Sequence, residues 1–302
     1  MALKMYHTEA AAGGSALFWE TAWSDGAFEE ALRFCDVDPL GPLLRHHARP
    51  GSRVLEGGCG RGQYVAYYSA RGAHVVGLDF ARDALSDLHR RLPNLRLCAG
   101  DVGELPFRSG SFDVYYSGGV VEHFETGPEA ALREARRVLA PGGVLLVSVP
   151  YLGPLRRVLA LFKRHDRRIV RGPGLDQGQP RGTFYQYAFT RREFERILGN
   201  CGLRVRSVQG YAILWGLSEL PGMGRLLNVL VRSRPARPAA AGPAEGSLRP
   251  APRPPSLLKR FAVSEDVGVP ILGLLVPLLR WAGSNMMMFV CVPEGVTDPG
   301  EK

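Results

Sequence analysis

The chain has 302 residues, 45% of them hydrophobic, and a formal net charge of +9. This hydrophobic content supports a packed core and excludes a fibrous or wholly disordered chain. The positive charge leaves nucleic acid, an anionic membrane surface or an anionic substrate as partner classes, to be separated by where the charge lies.

Five cysteines are scattered along the chain, with no CxxC pair and no metal-ligand spacing. They are Cys35, Cys59, Cys98, Cys201 and Cys291. An odd, scattered set is typical of a reducing compartment. The N-terminus lacks the apolar core of a signal peptide, and no apolar stretch reaches the roughly 18–20 residues that span a bilayer. These features predict a cytoplasmic protein.

Short apolar runs alternate with helical patterns from Ser52 to Pro150, which is typical of βαβ units around a parallel sheet. The fold class is therefore α/β, with a doubly wound, Rossmann-like sheet. The predicted strands are Arg53–Glu56, His74–Asp79, Leu95–Ala99, Phe112–Ser117 and Gly143–Pro150. The predicted helices between them are Gly62–Ala70, Ala81–Arg91 and Gly127–Leu139.

The flanking sequence divides into segments of different character. Phe18, Trp19, Trp23 and Phe28 follow a roughly helical spacing, which predicts an N-terminal helical lid. A helix capped by Thr190, a strand at Leu203–Tyr211 and a final strand within Ser284–Pro293 are also predicted. The predicted divisions are a lid at 1–48, a core at 49–150, a basic insertion plus the end of the core at 151–211, a second insertion at 212–283 and a final strand with a tail at 284–302. Within the second insertion, 232–256 is rich in Pro, Ala and Arg and is predicted to be an unpacked loop.

The strongest local motif is VLEGGCGRG at 54–62, an apolar strand that runs into an ExGxGxG loop and then a helix. Glycines at Gly58, Gly60 and Gly62 let the backbone turn sharply and approach a ligand closely. A dinucleotide loop would read GxGxxG, whereas here the third glycine comes one residue early. Glu56 beside the turn suits a cationic ligand, although a plain connecting turn remains an alternative.

Two further acids follow the next strands of the predicted sheet. Asp79 ends the second strand, where a carboxylate can accept hydrogen bonds from both ribose hydroxyls. Asp101 follows the third strand, where it can accept from an exocyclic amine. Because ligands of open α/β sheets bind beyond the carboxyl ends of the strands, Glu56, Asp79 and Asp101 are expected in one crevice.

The segments VLEGGCGRG, GLDF, AGDVGELPF, FDVYYSGGVVEHF and REARRVLAPGGVLLVSVP resemble, in this order, the motifs of class I methyltransferases, most closely the type 11 group. The resemblance covers about residues 50–150, with weaker similarity at 185–211 and 284–292. It implies a seven-stranded sheet with an antiparallel last strand, and a methyl transfer that consumes S-adenosylmethionine and leaves S-adenosylhomocysteine.

The resemblance also implies roles for individual residues. Gly58 and Gly60 would approach the methionine part of the cofactor, and Asp79 would hold the ribose. Phe80 and Val102 would flank the adenine, while Asp101 would accept from its amine. Glu56 is the candidate for the ammonium group. The complete predicted cofactor set is Glu56, Gly57, Gly58, Cys59, Gly60, Asp79, Phe80, Asp101, Val102 and Ser117.

His123 follows the fourth predicted strand and is the candidate general base, since an oxygen acceptor must lose a proton. The alternative is a histidine that organises the loop after the strand. Some relatives carry ExxEH here and are thought to bind a divalent metal, but Gly119 replaces the first glutamate, so no metal is expected. Tyr6, Trp19, Trp23, Tyr185 and Tyr187 are candidate aromatic contacts for the acceptor.

Two segments bear on the acceptor. Residues 155–172 form a basic amphipathic pattern, with Leu155, Val158, Leu159 and Phe162 on one helical face. Residues 267–279 are apolar but are interrupted by two prolines. The pair predicts either a substrate lid, with its arginines in solvent or on an anionic acceptor, or peripheral contact with an anionic membrane.

The sequence thus predicts a monomeric or homodimeric S-adenosylmethionine-dependent methyltransferase acting on an oxygen or nitrogen of a small molecule, such as a specialised metabolite, a sugar or a lipid precursor. A nicotinamide-dependent oxidoreductase and a non-catalytic S-adenosylmethionine-binding protein are the alternatives. No stacking sheet or zinc module accompanies the basic residues, which argues against nucleic acid.

Overall fold

The computed structural model describes residues 2–7, 28–162, 169–171, 183–220, 222–223 and 275–295. The predicted lid residues Trp19 and Trp23, the 232–256 loop and most of the apolar 267–279 segment lie outside these residues. The described strands are β1 Leu3–His7, β2 Arg53–Gly57, β3 His74–Asp79, β4 Arg96–Ala99, β5 Phe112–Gly118, β6 Leu139–Pro150, β7 Ile169–Arg171, β8 Thr183–Ala188, β9 Leu203–Tyr211 and β10 Met286–Pro293. The described helices are α1 Phe28–Val37, α2 Gly41–His47, α3 Gln63–Ser69, α4 Arg82–Arg91, α5 Glu129–Val138, α6 Pro154–Phe162, α7 Arg191–Asn200, α8 Ile213–Leu217 and α9 Val276–Gly283, with a 3-10 turn at Val121–His123.

Seven strands form the main sheet in the order β4-β3-β2-β5-β6-β10-β9. The strands from β4 to β6 pair in parallel, and β10 is antiparallel to both β6 and β9. The predicted seven-stranded α/β sheet with an antiparallel last strand is therefore confirmed. The chain order reverses between β2 and β5, which is where ligands of such sheets bind.

Apolar side chains cover both faces of this sheet. Neighbouring residues in a strand belong to different clusters: Leu55 and Tyr115 lie in one, while Val54 and Val114 lie in the other. Successive side chains of a strand point to opposite faces, so each cluster fills one side of the sheet. Such two-sided burial is expected of a parallel sheet packed between helices.

The N-terminal segment differs from its prediction. A helical lid is predicted over 1–48, but among its described residues, 2–7 and 28–48, the first element is strand β1, and the helices are α1 and α2. β1 lies between β7 and β8 in a separate three-stranded antiparallel sheet, where Leu3 pairs with both Arg171 and Ala188. Partners so far along the chain leave no local pattern in the sequence, which is why this sheet is missed.

One strand boundary differs from its prediction, and one helix cap agrees. β6 begins at Leu139 and not at the predicted Gly143, because Leu139 already pairs with Phe112 before the register shifts. Pro42 occupies the first turn of α2, where a missing N–H costs nothing. Thr190 caps α7 as predicted, its side chain accepting from the Glu193 backbone N–H.

No helix among the described residues is both long and apolar enough to cross a membrane. The longest α-helices that the structure describes have ten residues, for example α5, whereas a span needs about 20.

The aromatic core beneath α7 yields a stability prediction. Phe194 is fully buried, and its ring centroid lies 5.1 Å from that of Phe189 and 5.0 Å from that of Phe289. Phe194→Ala should lower the free energy of unfolding by about 3–5 kcal/mol, because it removes these contacts and leaves a cavity. Phe34→Ala, at a residue 42% exposed, is the control and should cost less than about 1 kcal/mol. Urea denaturation measures both, and equal losses would contradict this packing.

Candidate active site

The loop after β2 is held tightly against the end of β3. The backbone N–H groups of Gly58 and Cys59 both donate to the Leu78 carbonyl, at 2.8 and 3.0 Å. Gly58 has a φ of +75°, and a Cβ there would lie 2.3 Å from Val120 Cγ2. Both the left-handed backbone and the lack of space require glycine at this position.

Asp79 fixes the same loop through its side chain. Its Oδ2 accepts from the Gly60 N–H at 2.7 Å, and its Oδ1 accepts from the Ala81 N–H at 2.9 Å. The carboxylate is buried, and each oxygen keeps a second acceptor direction. The sequence pattern predicted a ligand contact here, whereas the structure adds a role in shaping the loop.

Glu56, at the end of β2, is a buried carboxyl group with one unsatisfied oxygen. The side chain is 5% exposed, and among the described residues its Oε2 has no hydrogen-bond partner. Burial raises the pKa of Glu56 well above its usual value, and Asp79 raises it further, against a backbone hydrogen bond from Val65 that lowers it. A cation reaching this oxygen would favour the ionised form.

Asp101 completes the set of acids. Its Oδ1 accepts from the Gly103 N–H at 2.7 Å. Glu56, Asp79 and Asp101 all line one open cavity of about 740 Å³. Phe80, which is 43% exposed, and the buried Val102 lie in the wall of the same cavity. The expected convergence of the three acids is thus present in the geometry.

The remaining predicted residues divide between the cavity wall and its surroundings. Cys59, His123 and Tyr185 line the cavity. Gly57 packs instead on the buried Tyr115 ring, where a Cβ would lie 2.6 Å from Cε2. The Ser117 side chain is buried behind the wall, and Tyr187 donates its hydroxyl to the Glu125 carbonyl at 2.8 Å. Tyr6 lies in β1, opposite Phe184 of β8.

His123 is held in one tautomer. Its Nδ1 lies 2.7 Å from the Tyr185 carbonyl oxygen, and because a carbonyl only accepts, Nδ1 carries the proton. The proton-accepting lone pair is then on Nε2. Burial lowers the pKa of His123, more than the hydrogen bond to Tyr185 raises it, which favours the neutral ring.

Glu122 is a second buried carboxyl group of the cavity wall, next to this histidine. It is 2% exposed, and burial raises its pKa to about 8. Its Oε1 lies 3.9 Å from His123 Nε2. Within the part of the chain that the structure describes, its Oε2 has no partner, and no three His, Cys, Asp or Glu side chains form a metal-binding group.

Arg156 of α6 also reaches the cavity, and its contacts correct one prediction. The arginines of this segment were expected in solvent or on an anionic acceptor. Instead Arg156 donates to Glu219 Oε1 at 2.8 Å and to the backbone carbonyls of Tyr151 and Asn285 at 3.1 and 3.3 Å. Its guanidinium ties α6 to the segment that precedes β10.

Several cavity residues were missed by sequence reasoning. They include Gln63, Tyr64, Tyr116, Asn285 and Met286. Tyr116 sits in a predicted core strand, and Asn285 and Met286 sit at the start of the last one, so their apolar context indicated packing alone. Their position at strand ends facing the crevice was the available signal.

Comparison with known proteins places this site in a family. Residues 55–147 match the family profile described as a methyltransferase domain. A malonyl-[acyl-carrier protein] O-methyltransferase of Erwinia pyrifoliae is 37% identical over 157 residues, which are 51% of this chain and 57% of the relative. A demethylmenaquinone methyltransferase of Renibacterium salmoninarum is 43% identical over 126 residues, 40% of this chain and 50% of the relative. The chain thus spans about half the length of these curated relatives.

A solved structure shows the same fold over most of the chain. A putative sarcosine dimethylglycine methyltransferase from Galdieria sulphuraria superposes with a TM-score of 0.52 at 12% identity, covering 92% of this chain and 98% of that one. The profile match falls on the strands, loop and acids that surround the cavity. The stretch from Leu55 to Val147 is therefore a methyltransferase domain of the class I S-adenosylmethionine-dependent group.

Proposed function

We propose that this protein transfers a methyl group from S-adenosylmethionine to an oxygen or nitrogen of a small-molecule acceptor. The observation that carries the proposal is the single cavity in which Glu56, Asp79 and Asp101 meet beside the glycine loop. Its volume of about 740 Å³ lies within the range of about 300–1,000 Å³ that is usual for small-molecule sites.

The residues present fit this cofactor. S-adenosylmethionine carries an ammonium group, a sulfonium, a ribose and an adenine, so it needs acceptors for a cation and for hydroxyls. Glu56 Oε2, buried and without a partner among the described residues, suits the ammonium group. The second acceptor directions of Asp79 suit the ribose hydroxyls, and Asp101 suits the adenine amine. Phe80 and Val102 are placed to flank the adenine ring.

The bound cofactor supplies an electrophilic methyl group, and the chain supplies position and a proton acceptor. Methyl transfer is an in-line displacement, so holding the acceptor close and aligned accounts for much of the rate. His123 is the proposed base, since its Nδ1–H is engaged by the Tyr185 carbonyl and its lowered pKa favours the neutral ring. Glu122 Oε1 lies 3.9 Å from Nε2; burial raises the pKa of this carboxyl to about 8, and protonation of the ring would favour its ionised form.

The class of acceptor is inferred from the relatives. One relative is named for O-methylation of malonyl-[acyl-carrier protein], and another is named for demethylmenaquinone. The first name supports an oxygen acceptor, and the second supports a small molecule or a lipid precursor as acceptor without naming the attacked atom. On this proposal the partner is a small molecule, not a nucleic acid, and the protein works in the cytoplasm as a monomer or homodimer.

Calorimetry with the purified chain tests the choice of cofactor. S-adenosylmethionine and S-adenosylhomocysteine should both bind, because the ExGxGxG loop and Asp101 suit these two ligands. NADH should not bind. Release of S-adenosylhomocysteine on addition of a phenol, an alcohol or an amine then identifies the acceptor class. Binding of NADH alone would replace the proposal with an oxidoreductase. Cofactor binding without transfer to any acceptor class would indicate a non-catalytic member.

Glu56→Gln tests the ammonium site, since it keeps the shape of the side chain and removes its charge. Affinity for S-adenosylmethionine should fall at least about tenfold, the loss expected for one charge-assisted hydrogen bond. Methylthioadenosine, which lacks the amino-acid tail, is the matched ligand and should bind the variant and the wild type equally. An equal loss for both ligands would mean that Glu56 maintains the conformation of the glycine loop and does not bind the ammonium group.

The same site gives a pH dependence. Burial raises the pKa of Glu56, so the free protein keeps this carboxyl protonated to higher pH than usual. The ammonium group needs the ionised form, so binding should release a proton, and affinity should rise with pH toward that raised pKa. Calorimetry in buffers of different ionisation enthalpy measures the release, which Glu56→Gln should abolish.

Gly58→Ala tests the glycine cradle against a matched glycine. Gly58 and Gly51 have similar φ values, +75° and +83°, so alanine at either position costs about 1–2 kcal/mol of backbone strain. Only at Gly58 does the added Cβ collide with a neighbour, Val120, since nothing described lies within 4 Å of a Cβ at Gly51. Gly58→Ala should therefore weaken S-adenosylmethionine binding at least about tenfold, while Gly51→Ala should leave it unchanged. Equal affinities would show that the cradle plays no part.

A further inference from the structure

Three helices lie together at the edge of the sheet where the cavity opens. α6 follows the carboxyl end of β6, and α8 follows the carboxyl end of β9. α9 leads into β10, which is antiparallel to both of these strands. All three helices are therefore at the carboxyl edge of the sheet, and we call α6, α8 and α9 the helical cap.

The helical cap is a packed unit. α9 contacts both α6 and α8. At the closest approach, a Cβ on Gly216 of α8 would lie 1.8 Å from the Gly283 carbonyl oxygen of α9, so the two backbones touch. Arg156 anchors α6 to Glu219, just after α8, and to Asn285, just after α9. The cap is thus a defined surface and not three independent segments.

Most of the large hydrophobic side chains that are exposed in the described part of the chain belong to this cap. Of the nine large hydrophobic side chains that are exposed there, five belong to the cap and a sixth, Leu275, directly precedes α9. The five are Val158, Leu161, Trp215, Leu278 and Trp281. Trp215 is 71% exposed and Trp281 is 59% exposed. Clustering of this kind, in contrast to scattered single residues, marks an interaction surface.

The charges of the cap select the partner. Its helices contain three arginines and no acidic residue, although the charge of Arg156 is offset by Glu219, just after α8. The sequence continues after α6 as KRHDRR, with four basic residues and one acid. Exposed tryptophans with arginines are the composition of segments that lie in the headgroup region of a bilayer, where anionic lipids attract the basic residues.

We propose that the helical cap docks on an anionic membrane surface. Since Arg156, Asn285 and Met286 of the cap and its junctions also line the cavity, docking brings the cavity mouth to the level of the lipid headgroups. An amphiphilic acceptor then presents its polar end to the cavity while its apolar part stays in the bilayer. This last step rests on the proposed methyl transfer, whereas the docking itself does not.

Vesicle flotation with the full chain tests the docking. The wild type should float with phosphatidylcholine vesicles that contain phosphatidylglycerol, less with phosphatidylcholine alone, and less when salt screens the charges. Trp215→Ser combined with Trp281→Ser should reduce the vesicle-bound fraction at least about tenfold, because two large apolar side chains no longer enter the bilayer. Phe34→Ser, an exposed aromatic on α1, is the control and should bind as the wild type does.

Two further measurements distinguish a loss of membrane docking from a damaged cofactor site or a destabilised fold. S-adenosylmethionine affinity by calorimetry should be the same in the tryptophan variant and the wild type, so loss of docking is distinguished from failure of the cofactor site. The melting temperature of that variant should also be unchanged, since both side chains are exposed. A clear drop in melting temperature would show that the tryptophans pack within the chain. Any one of three results would overturn the proposal. They are that drop in melting temperature, a wild type that does not bind anionic vesicles, and a tryptophan variant that floats as the wild type does.

Discussion

The carboxylate of Asp79 is the contact on which the cofactor half of the cavity depends. One oxygen holds the Gly60 N–H and the other holds the Ala81 N–H, so a single side chain joins the glycine loop, the end of β3 and the start of α4. These hydrogen bonds are charge-assisted and buried, where the local dielectric is low and such bonds are strong. The loop is consequently shaped before any ligand arrives, which lowers the entropy that binding must overcome.

Two other carboxyl groups show the opposite arrangement. Glu56 and Glu122 are nearly inaccessible, and each has an oxygen without a partner among the described residues. Unsatisfied buried polar atoms are unfavourable by about 1–3 kcal/mol each, and most proteins avoid them. Both residues line the cavity. A ligand that donates hydrogen bonds to these two oxygens would remove this cost, and the gain would add to its binding free energy.

Much of the core could be predicted from sequence because its signals are local. The strand bounds at His74–Asp79 and Leu203–Tyr211 agree with the pattern of apolar residues, and strand-end placement brought Glu56, Asp79 and Asp101 into one cavity. The β1-β7-β8 sheet was not predictable, since β1 near the start of the sequence pairs with strands in its middle, at Ile169–Arg171 and Thr183–Ala188. Nor could the Arg156–Glu219 ion pair be predicted, because a run of arginines does not show which one turns inward. The tautomer of His123 likewise depends on a backbone carbonyl of β8 that no motif marks.

The position of β10 has a consequence for how the chain folds. β6 and β9 do not pair with each other, and β10 fills the space between them with antiparallel hydrogen bonds to both. During synthesis, the sheet can assemble from β4 to β6 early, but β9 has no neighbour until residues 286–293 leave the ribosome. Late insertion of this internal strand lengthens the average loop that must close, which slows folding and leaves the edges of β6 and β9 unpaired until then. Chaperones are therefore expected to bind the growing chain mainly between the synthesis of β9 and the synthesis of β10.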